Sequence, residues 1–564
     1  MDTQRLVLFL ALSLVVMLLW DAWNQRYNPV ETPNQIVEAG SASSVPAAPQ
    51  EMLSTVAPET EDLPVSPVST PDAPEKPATA TQNALGSSKR ILVTTDVFDL
   101  ELETRGGDVR KVFLKKFPIS LDQPQMAYPL MDDALPQLFI AQTGLLSTTE
   151  APDHHSIFQS EQSEFRMEDG KNELVVPLTW ISQSGIRVMK ILTFTRGSYL
   201  INVEHKIENQ SAAEWKGRLY RQLQRNKFEE PGKSRLLYTF TGAAVSSVEK
   251  PYQKIEFDEM AEWKPDQSYT KGGWGAMLQH YFVAAWIPPN EEANHFYTRA
   301  LKDDRFIVGM TSSETIVAPG ANTNFINNLY VGPKVQSRLE KIEPNLKLTV
   351  DYGILHFLAQ PLFWVLEFFH SFLGNWGWSI IMLTLMIKVF FYKLSEASYR
   401  SMANMRALAP KFQAIRDRYG DDRQRMSQAT MELYKKEKVN PLSGCWPMLV
   451  QIPVFISLYW MILESVELRQ APFILWIQDL SAKDPFYVLP IVMGVSMYFQ
   501  QKLSANPSMD PLQQKILQFM PLVFTLFFML FPAGLVLYWV VNNLLSILQQ
   551  WYITHKIEKE TRKA

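Results

Sequence analysis

A chain of 564 residues with 54 Lys and Arg against 58 Asp and Glu has room for several domains, and its net charge of −4 makes no overall case for nucleic acid. Its one cysteine, Cys445, excludes an intramolecular disulfide, so stability must come from packing. One apolar run lies at the N-terminus and the others in the last third, a distribution that predicts a multi-domain membrane protein.

The first run, 6–20 (LVLFLALSLVVMLLW), is read as an uncleaved transmembrane anchor within 1–24. No A-x-A-like site follows it, and Trp20 and Trp23 suit an interfacial belt. Residues 25–89 are rich in Pro, Ser, Thr, Ala and Glu, with too few aliphatics to bury, and are expected to form a disordered linker.

From 90 to 350 the pattern becomes short alternating strands with turn signals. Residues 93–97, Leu100 and Leu102, then Gly106-Gly107 before 109–114, read as strand and hairpin; 188–195, Gly197-Ser198 and 199–207 read as another. A soluble all-β sandwich is predicted. Asp153, His154 and His155 have no recognisable metal-ligand spacing, so no metal is expected from them. Lys271-Gly272-Gly273-Trp274-Gly275 lacks the setting of a phosphate cradle. No nucleophile or carboxylate motif stands out. The domain reads as structural or binding, and the chain as no enzyme, with no cofactor.

Residues 351–374 place His356, Gln360, Glu367, His370 and Ser371 on one side of a helix, as expected of an amphipathic helix in the membrane interface. Within 375–564, spans are expected at 376–394, 446–465, 486–502, 516–531 and 534–550, making five core helices beside the anchor. If 351–374 crossed as well, the loop 395–444 with its ten Lys and Arg between Arg400 and Lys438 would lie outside, against the positive-inside rule. Both termini are therefore placed in the cytoplasm. The loop itself has apolar residues every three or four positions, broken at Gly420-Asp421-Asp422. It reads as a cytoplasmic helical hairpin whose Arg406, Lys411, Arg416 and Arg418 serve as a topology signal, a headgroup contact or a partner surface.

Lys388 lies inside the run 376–394 (WGWSIIMLTLMIKVFFYKL). A charge at mid-membrane costs at least about 2.5 kcal/mol, so it either snorkels toward Lys393 or faces water in a cavity. Thr384 is one turn earlier on the same face. Gln451, Thr525, and Tyr538, Asn542 and Ser546 at successive i+4 steps, add polar groups to other spans. They are either glue between helices or, with Lys388, the lining of a shared groove.

Specific runs carry a resemblance: Gly374-Asn375-Trp376-Gly377, Lys438-Val439-Asn440-Pro441-Leu442, Gly444-Cys445, Gln451-Ile452-Pro453, Ser465 through Phe473, Leu475-Trp476-Ile477 and Phe531-Pro532-Ala533-Gly534-Leu535. With the N-terminal Met1-Asp2-Thr3-Gln4-Arg5 and the large β domain, they resemble the YidC family of bacterial inner-membrane insertases in its Gram-negative form. The resemblance implies an insertase and assembly chaperone for nascent membrane proteins, alone or beside the Sec translocon and its accessory subunits. It also implies weak contacts with the signal recognition particle receptor and ribosome, lipid contact, and no direct nucleic-acid recognition. It implies a hydrophilic groove open to cytoplasm and lipid, with a cation, usually Arg, where this chain has Lys388. Thr384 and Gln451 match groove positions, whereas Trp539 stands where Tyr occurs. A slide of Leu449, Phe455, Leu458, Phe524 and Phe528 is expected to guide apolar segments. Two rivals are a secondary transporter, which would show repeated halves and ion-coupling carboxylates, and a membrane-anchored periplasmic binding module, which would not need Lys388.

Overall fold

Period-two burial makes the first half a β structure. The strand Ile186–Thr195 buries Ile186, Val188, Lys190, Leu192 and Phe194 on one face, as a pleated strand must when that face is covered. The computed structural model describes residues 62–64, 88–228, 239–420, 422–437, 446–504 and 511–563, and these fall within one compact unit, Glu59–Ala564. The expected anchor at 1–24, most of the linker at 25–89, residues 438–445 and most of the loop 504–512 lie outside the described residues.

An eleven-stranded sheet follows the order Thr270–Lys271, Ala293–Leu301, Arg305–Ser312, Trp215–Asn226, Phe139–Ser147, Val109–Ser120, Phe98–Glu103, Arg90–Thr94 and Glu164–Arg166. Gln123–Met131 and Thr315–Val317 pair off this path. An eight-stranded sheet runs Gln253–Ile255, Gly242–Ser246, Trp274–Leu278, Phe282–Ile287, Asn322–Pro333, Leu200–Asn209, Ile186–Thr195 and Glu173–Ile181. Phe98, Leu100 and Leu223 of the first sheet share one apolar core with Leu192, Ile201, Trp274 and Trp286 of the second. Both predicted hairpins form: Phe98–Glu103 pairs antiparallel with Val109–Ser120, and Ile186–Thr195 with Leu200–Asn209. Gly106 and Gly107 turn the first at φ 71° and 64°, a left-handed conformation that side chains resist.

The second half is helical: α1 (Gln336–Ile342), α2 (His356–Leu373), α3 (Trp376–Phe390), α4 (Tyr392–Ala407), α5 (Ala409–Tyr419), α6 (Arg423–Lys436), α7 (Trp446–Glu464), α8 (Val488–Ser504), α9 (Pro511–Phe528) and α10 (Ala533–Lys563). Helix α2 buries Ala359, Leu362, Phe363 and Leu366 while exposing Phe357, Trp364, Phe368 and Phe372. Its outward face is therefore more apolar than the sequence stripe suggested. Gly374 at φ 62° ends α2, its N–H donating to His370 O at 2.8 Å, and Asn375 caps α3 by accepting from the Trp378 N–H at 3.2 Å.

Two departures from the expected spans matter most. The run 376–394 is not one helix, because the chain bends by 64° between α3 and α4, and only the pair together has the length and apolarity to cross a membrane. Among the described residues no single helix is long and apolar enough; the shorter apolar stretches are Leu449–Glu464 and Lys515–Phe528. Helix α10 continues well beyond residue 550, to Lys563. The first arm of the hairpin is two helices, with Pro410 in the first turn of α5, where its missing N–H costs no helical hydrogen bond.

The sandwich docks on the loops of the helical region. Arg469 Nη2 donates to Pro118 O at 2.8 Å and Ile119 O at 3.2 Å, and its guanidinium lies over the Tyr128 and Phe282 rings. His280 Nε2 bonds Leu463 O at 2.8 Å, Lys254 pairs with Asp351, and Gln336 bonds the Tyr352 hydroxyl.

Candidate functional site

Three helices build a polar row in the apolar bundle. The i+4 spacing of Tyr538, Asn542 and Ser546 puts them on one face of α10, where all three are buried. Lys388 of α3 donates from Nζ to Ser546 Oγ at 2.7 Å, and the Ser546 hydroxyl donates to Asn542 O at 2.7 Å. From α7, Gln451 Nε2 donates to Asn542 Oδ1 at 2.5 Å and lies 3.5 Å from the Tyr538 hydroxyl. Among the described residues no carboxylate pairs with Lys388, so its charge is met by a hydroxyl dipole. Such a cation keeps donor capacity for a further acceptor, since an ammonium carries three N–H groups.

Two expected members are turned elsewhere. Thr384 is buried one turn from Lys388, but its hydroxyl donates to Ile380 O at 2.7 Å. Thr525 donates to Pro521 O at 2.7 Å and seats α9 on α8 at Gly494, where a Cβ would come within 1.9 Å of Thr525 Oγ1. Thr525 therefore belongs to the α8–α9 contact and has no hydrogen bond to the row. A second polar tie was not singled out from sequence: Asn543 Nδ2 donates to Ser496 Oγ at 3.1 Å, both buried, joining α10 to α8. Its signals were Asn543, expected to face a neighbour or lipid, and Ser496 in the apolar middle of α8.

The expected slide divides by burial. Leu449 is 45% exposed, whereas Leu458 and Phe528 are 1% and 2% exposed and belong to the bundle core. Those two cannot form a surface, because the Phe528 ring is enclosed by Phe524, Phe531 and Trp539. Phe455 and Phe524 are half-buried, Phe455 packing on Trp539 at 5.0 Å between ring centres. The apolar surface lies instead at Ile452 and Ile456 on α7 and at Phe519, Leu522, Val523 and Leu526 on α9.

In the hairpin Phe412 packs on Tyr434 at 5.4 Å, and Lys411 Nζ bonds Glu437 Oε1 at 2.6 Å, closing α5 against the end of α6. The Arg418 guanidinium lies 5.6 Å from the Tyr419 ring; Arg416 and Arg406 are half-buried. A different cluster, invisible to periodicity, lies between the sheets: Arg110 pairs with Glu103 at 2.7 Å, and Lys190 Nζ donates to Gly106 O at 2.8 Å beside Asp108. Burial pushes the Lys190 ammonium down to about 8.

The family model for the YidC periplasmic domain matches residues 90–365, and that for the 60Kd inner membrane protein matches 368–560. Membrane protein insertase YidC of Thioalkalivibrio sulfidiphilus is 52% identical over the full length of both chains, and that of Methylococcus capsulatus is 49% identical over the same extent. The chain belongs to the YidC family of membrane protein insertases. It is thus an inner-membrane protein whose β-rich periplasmic domain precedes a helical region. A crystal structure of an active YidC insertase, with its first transmembrane domain resolved, covers 83% of this chain and 93% of its own at 18% identity and a TM-score of 0.39.

Proposed function

We propose that the helical region inserts nascent membrane proteins into the inner membrane by way of the row Lys388, Ser546, Asn542, Gln451 and Tyr538. The single observation that carries this reading is a cation that meets a hydroxyl, and no described carboxylate, inside an apolar bundle. A nascent span has a polar flank that must cross, and bare lipid imposes a cost of several kcal/mol on each of its charges and unpaired amides. A hydrated row part-way through the membrane shortens that barrier. Lys388 attracts an acidic or polar flank, Gln451 and Asn542 exchange their mutual hydrogen bond for bonds to it, and the exposed apolar faces of α7 and α9 pass the apolar segment to lipid. Burial in hydrocarbon stabilises the product, so the step needs no covalent chemistry and no nucleotide from this chain.

The accompanying topology is an N-terminal anchor, five core spans with both termini cytoplasmic, the sandwich periplasmic and α2 in the interface. The bent pair α3–α4 supports a first core span that leaves the membrane at Phe391 and continues into the hairpin. The basic hairpin receives the Sec translocon, the signal recognition particle receptor or the ribosome through transient charge contacts. The test is reconstitution in liposomes with a short single-span substrate carrying an acidic external flank. Lys388→Arg should retain insertion while Lys388→Ala and Lys388→Glu lose it; equal insertion by all four proteins would mean that the charge has no part in the mechanism.

A further inference from the structure

The sandwich holds a cluster that the row around Lys388 does not use. Asp62 Oδ2 lies 3.0 Å from His154 Nε2, and Asp62 Oδ1 lies 3.2 Å from His155 Nε2, across 92 and 93 positions of sequence. The three ligand atoms, one from each residue, lie within 4.8 Å of one another. Donors of a tetrahedral zinc ion, with bonds of about 2.0–2.1 Å, stand roughly 3.3 Å apart, so the 3.0 and 3.2 Å carboxylate–imidazole separations are near those of bound ligands, with all three atoms in reach of one ion. Two imidazole nitrogens and one carboxylate oxygen form a ligand set of borderline softness, suited to divalent zinc-class cations more than to calcium or magnesium.

The surroundings are those of a held site. His154 is buried, and its other ring nitrogen, Nδ1, lies 2.5 Å from the hydroxyl of the fully buried Tyr220, which also accepts from the His154 N–H at 2.9 Å. A partner on the non-ligating nitrogen fixes the tautomer and ring orientation that a metal ligand needs. Asp153 Oδ1 accepts from the His155 N–H at 2.9 Å and from Ser156 Oγ at 2.8 Å, stiffening the loop. On the other side Gln222 Nε2 donates to Asp62 O at 3.1 Å, and Arg299 Nη1 donates to Leu63 O at 2.5 Å, so the backbone at 62–63 is seated before any ion binds. The His155 side chain is 40% exposed, leaving an open side for a water as fourth ligand.

We propose that Asp62, His154 and His155 form a binding site for a divalent cation of the zinc class, which clasps residues 62–64 onto the periplasmic sandwich. The ion bridges segments distant in sequence, so its binding energy adds to the stability of the docked segment.

The full-length protein, without a histidine tag and stripped by chelator, is titrated in detergent with Co2+, read by visible absorption, and with Zn2+ against a competing chelator. Wild type and His295→Ala, whose imidazole bonds Ser268 O elsewhere, should bind one ion per chain with the spectrum of tetrahedral Co2+. Asp62→Asn and His155→Ala should lose at least about 10-fold in affinity, the loss that even an outer partner's removal brings. Zn2+ should raise the unfolding midpoint of wild type and not of the two variants. His155→Ala changes a part-exposed side chain and keeps the test open if Asp62→Asn folds poorly. Substoichiometric uptake by wild type, or equal affinity in wild type and both variants, would overturn the proposal and leave a plain hydrogen-bonded clasp.

Discussion

Lys388 Nζ donates to Ser546 Oγ at 2.7 Å and so ties α3 to α10, residues 158 positions apart. The bond joins a cation to a neutral hydroxyl, which orients the ammonium without neutralising it. Ser546→Ala should therefore weaken the helix contact by about 0.6–2 kcal/mol, the range for polar bonds between membrane helices. Because Lys388 keeps its charge, the same variant should lower insertion less than Lys388→Ala does. A double-mutant cycle on stability in detergent should return a coupling of about 0.5–1.5 kcal/mol between the two positions; additive losses would mean that the bond contributes nothing.

Gly494 should not accept a side chain. A Cβ there would lie 1.9 Å from Thr525 Oγ1, so α8 and α9 would have to separate. Gly494→Ala should cost about 1–3 kcal/mol by overpacking. In a Thr525→Ala background the penalty should shrink, because the nearest remaining atom is the position-525 Cβ at 3.2 Å. Thermal unfolding of the four proteins measures this directly.

Burial separates two leucines on α7. Leu458 is 1% exposed and Leu449 45%. Leu458→Ala should destabilise the bundle by about 2–5 kcal/mol through the cavity it leaves, whereas Leu449→Ala should stay within about 0.5 kcal/mol of wild type. A photocrosslinker at Leu449 should capture a nascent span and one at Leu458 should not, read on stalled insertion intermediates.

Glu467 gives the junction beneath the sandwich a pH dependence. Its carboxyl is enclosed beyond the end of α7, with Oε2 lacking a hydrogen bond among the described residues. Burial, with the Glu367 carboxylate adding to it, pushes its pKa up to about 7 against backbone hydrogen bonds that favour ionisation. The folded state thus holds this proton more tightly than the unfolded chain, whose Glu titrates near about 4.3. The sign follows: stability from this group is greatest below the unfolded pKa, falls as pH rises, and is lowest above about 7. Glu467→Gln should flatten the unfolding midpoint between roughly pH 4.5 and 7 and raise it at pH 8. A wild-type midpoint that climbs through that window just as the variant's does would remove Glu467 as the cause.

Much of the fold is legible in the sequence. Period-two alternation in Ile186–Thr195 and the glycine pair at Gly106-Gly107 marked strands and a hairpin, because both signals are local. The i+4 series Tyr538, Asn542 and Ser546 marked one polar face of α10 for the same reason. Composition and these periods are short-range properties of the chain, enough to place a β-rich domain ahead of apolar helices with Lys388 among them.

Which polar groups meet is set by how the folded elements pack. Lys388 found Ser546, while Thr384 and Thr525 turned back to their own helix carbonyls, a choice that depends on how close the neighbouring helix comes. The 64° bend after α3 and the burial of Leu458 and Phe528 are likewise consequences of packing, which an apolar residue's type does not reveal. Asp62 reached His154 and His155 across 92 and 93 positions, a separation at which sequence spacing carries no distance information, because only the folded sandwich brings those atoms together.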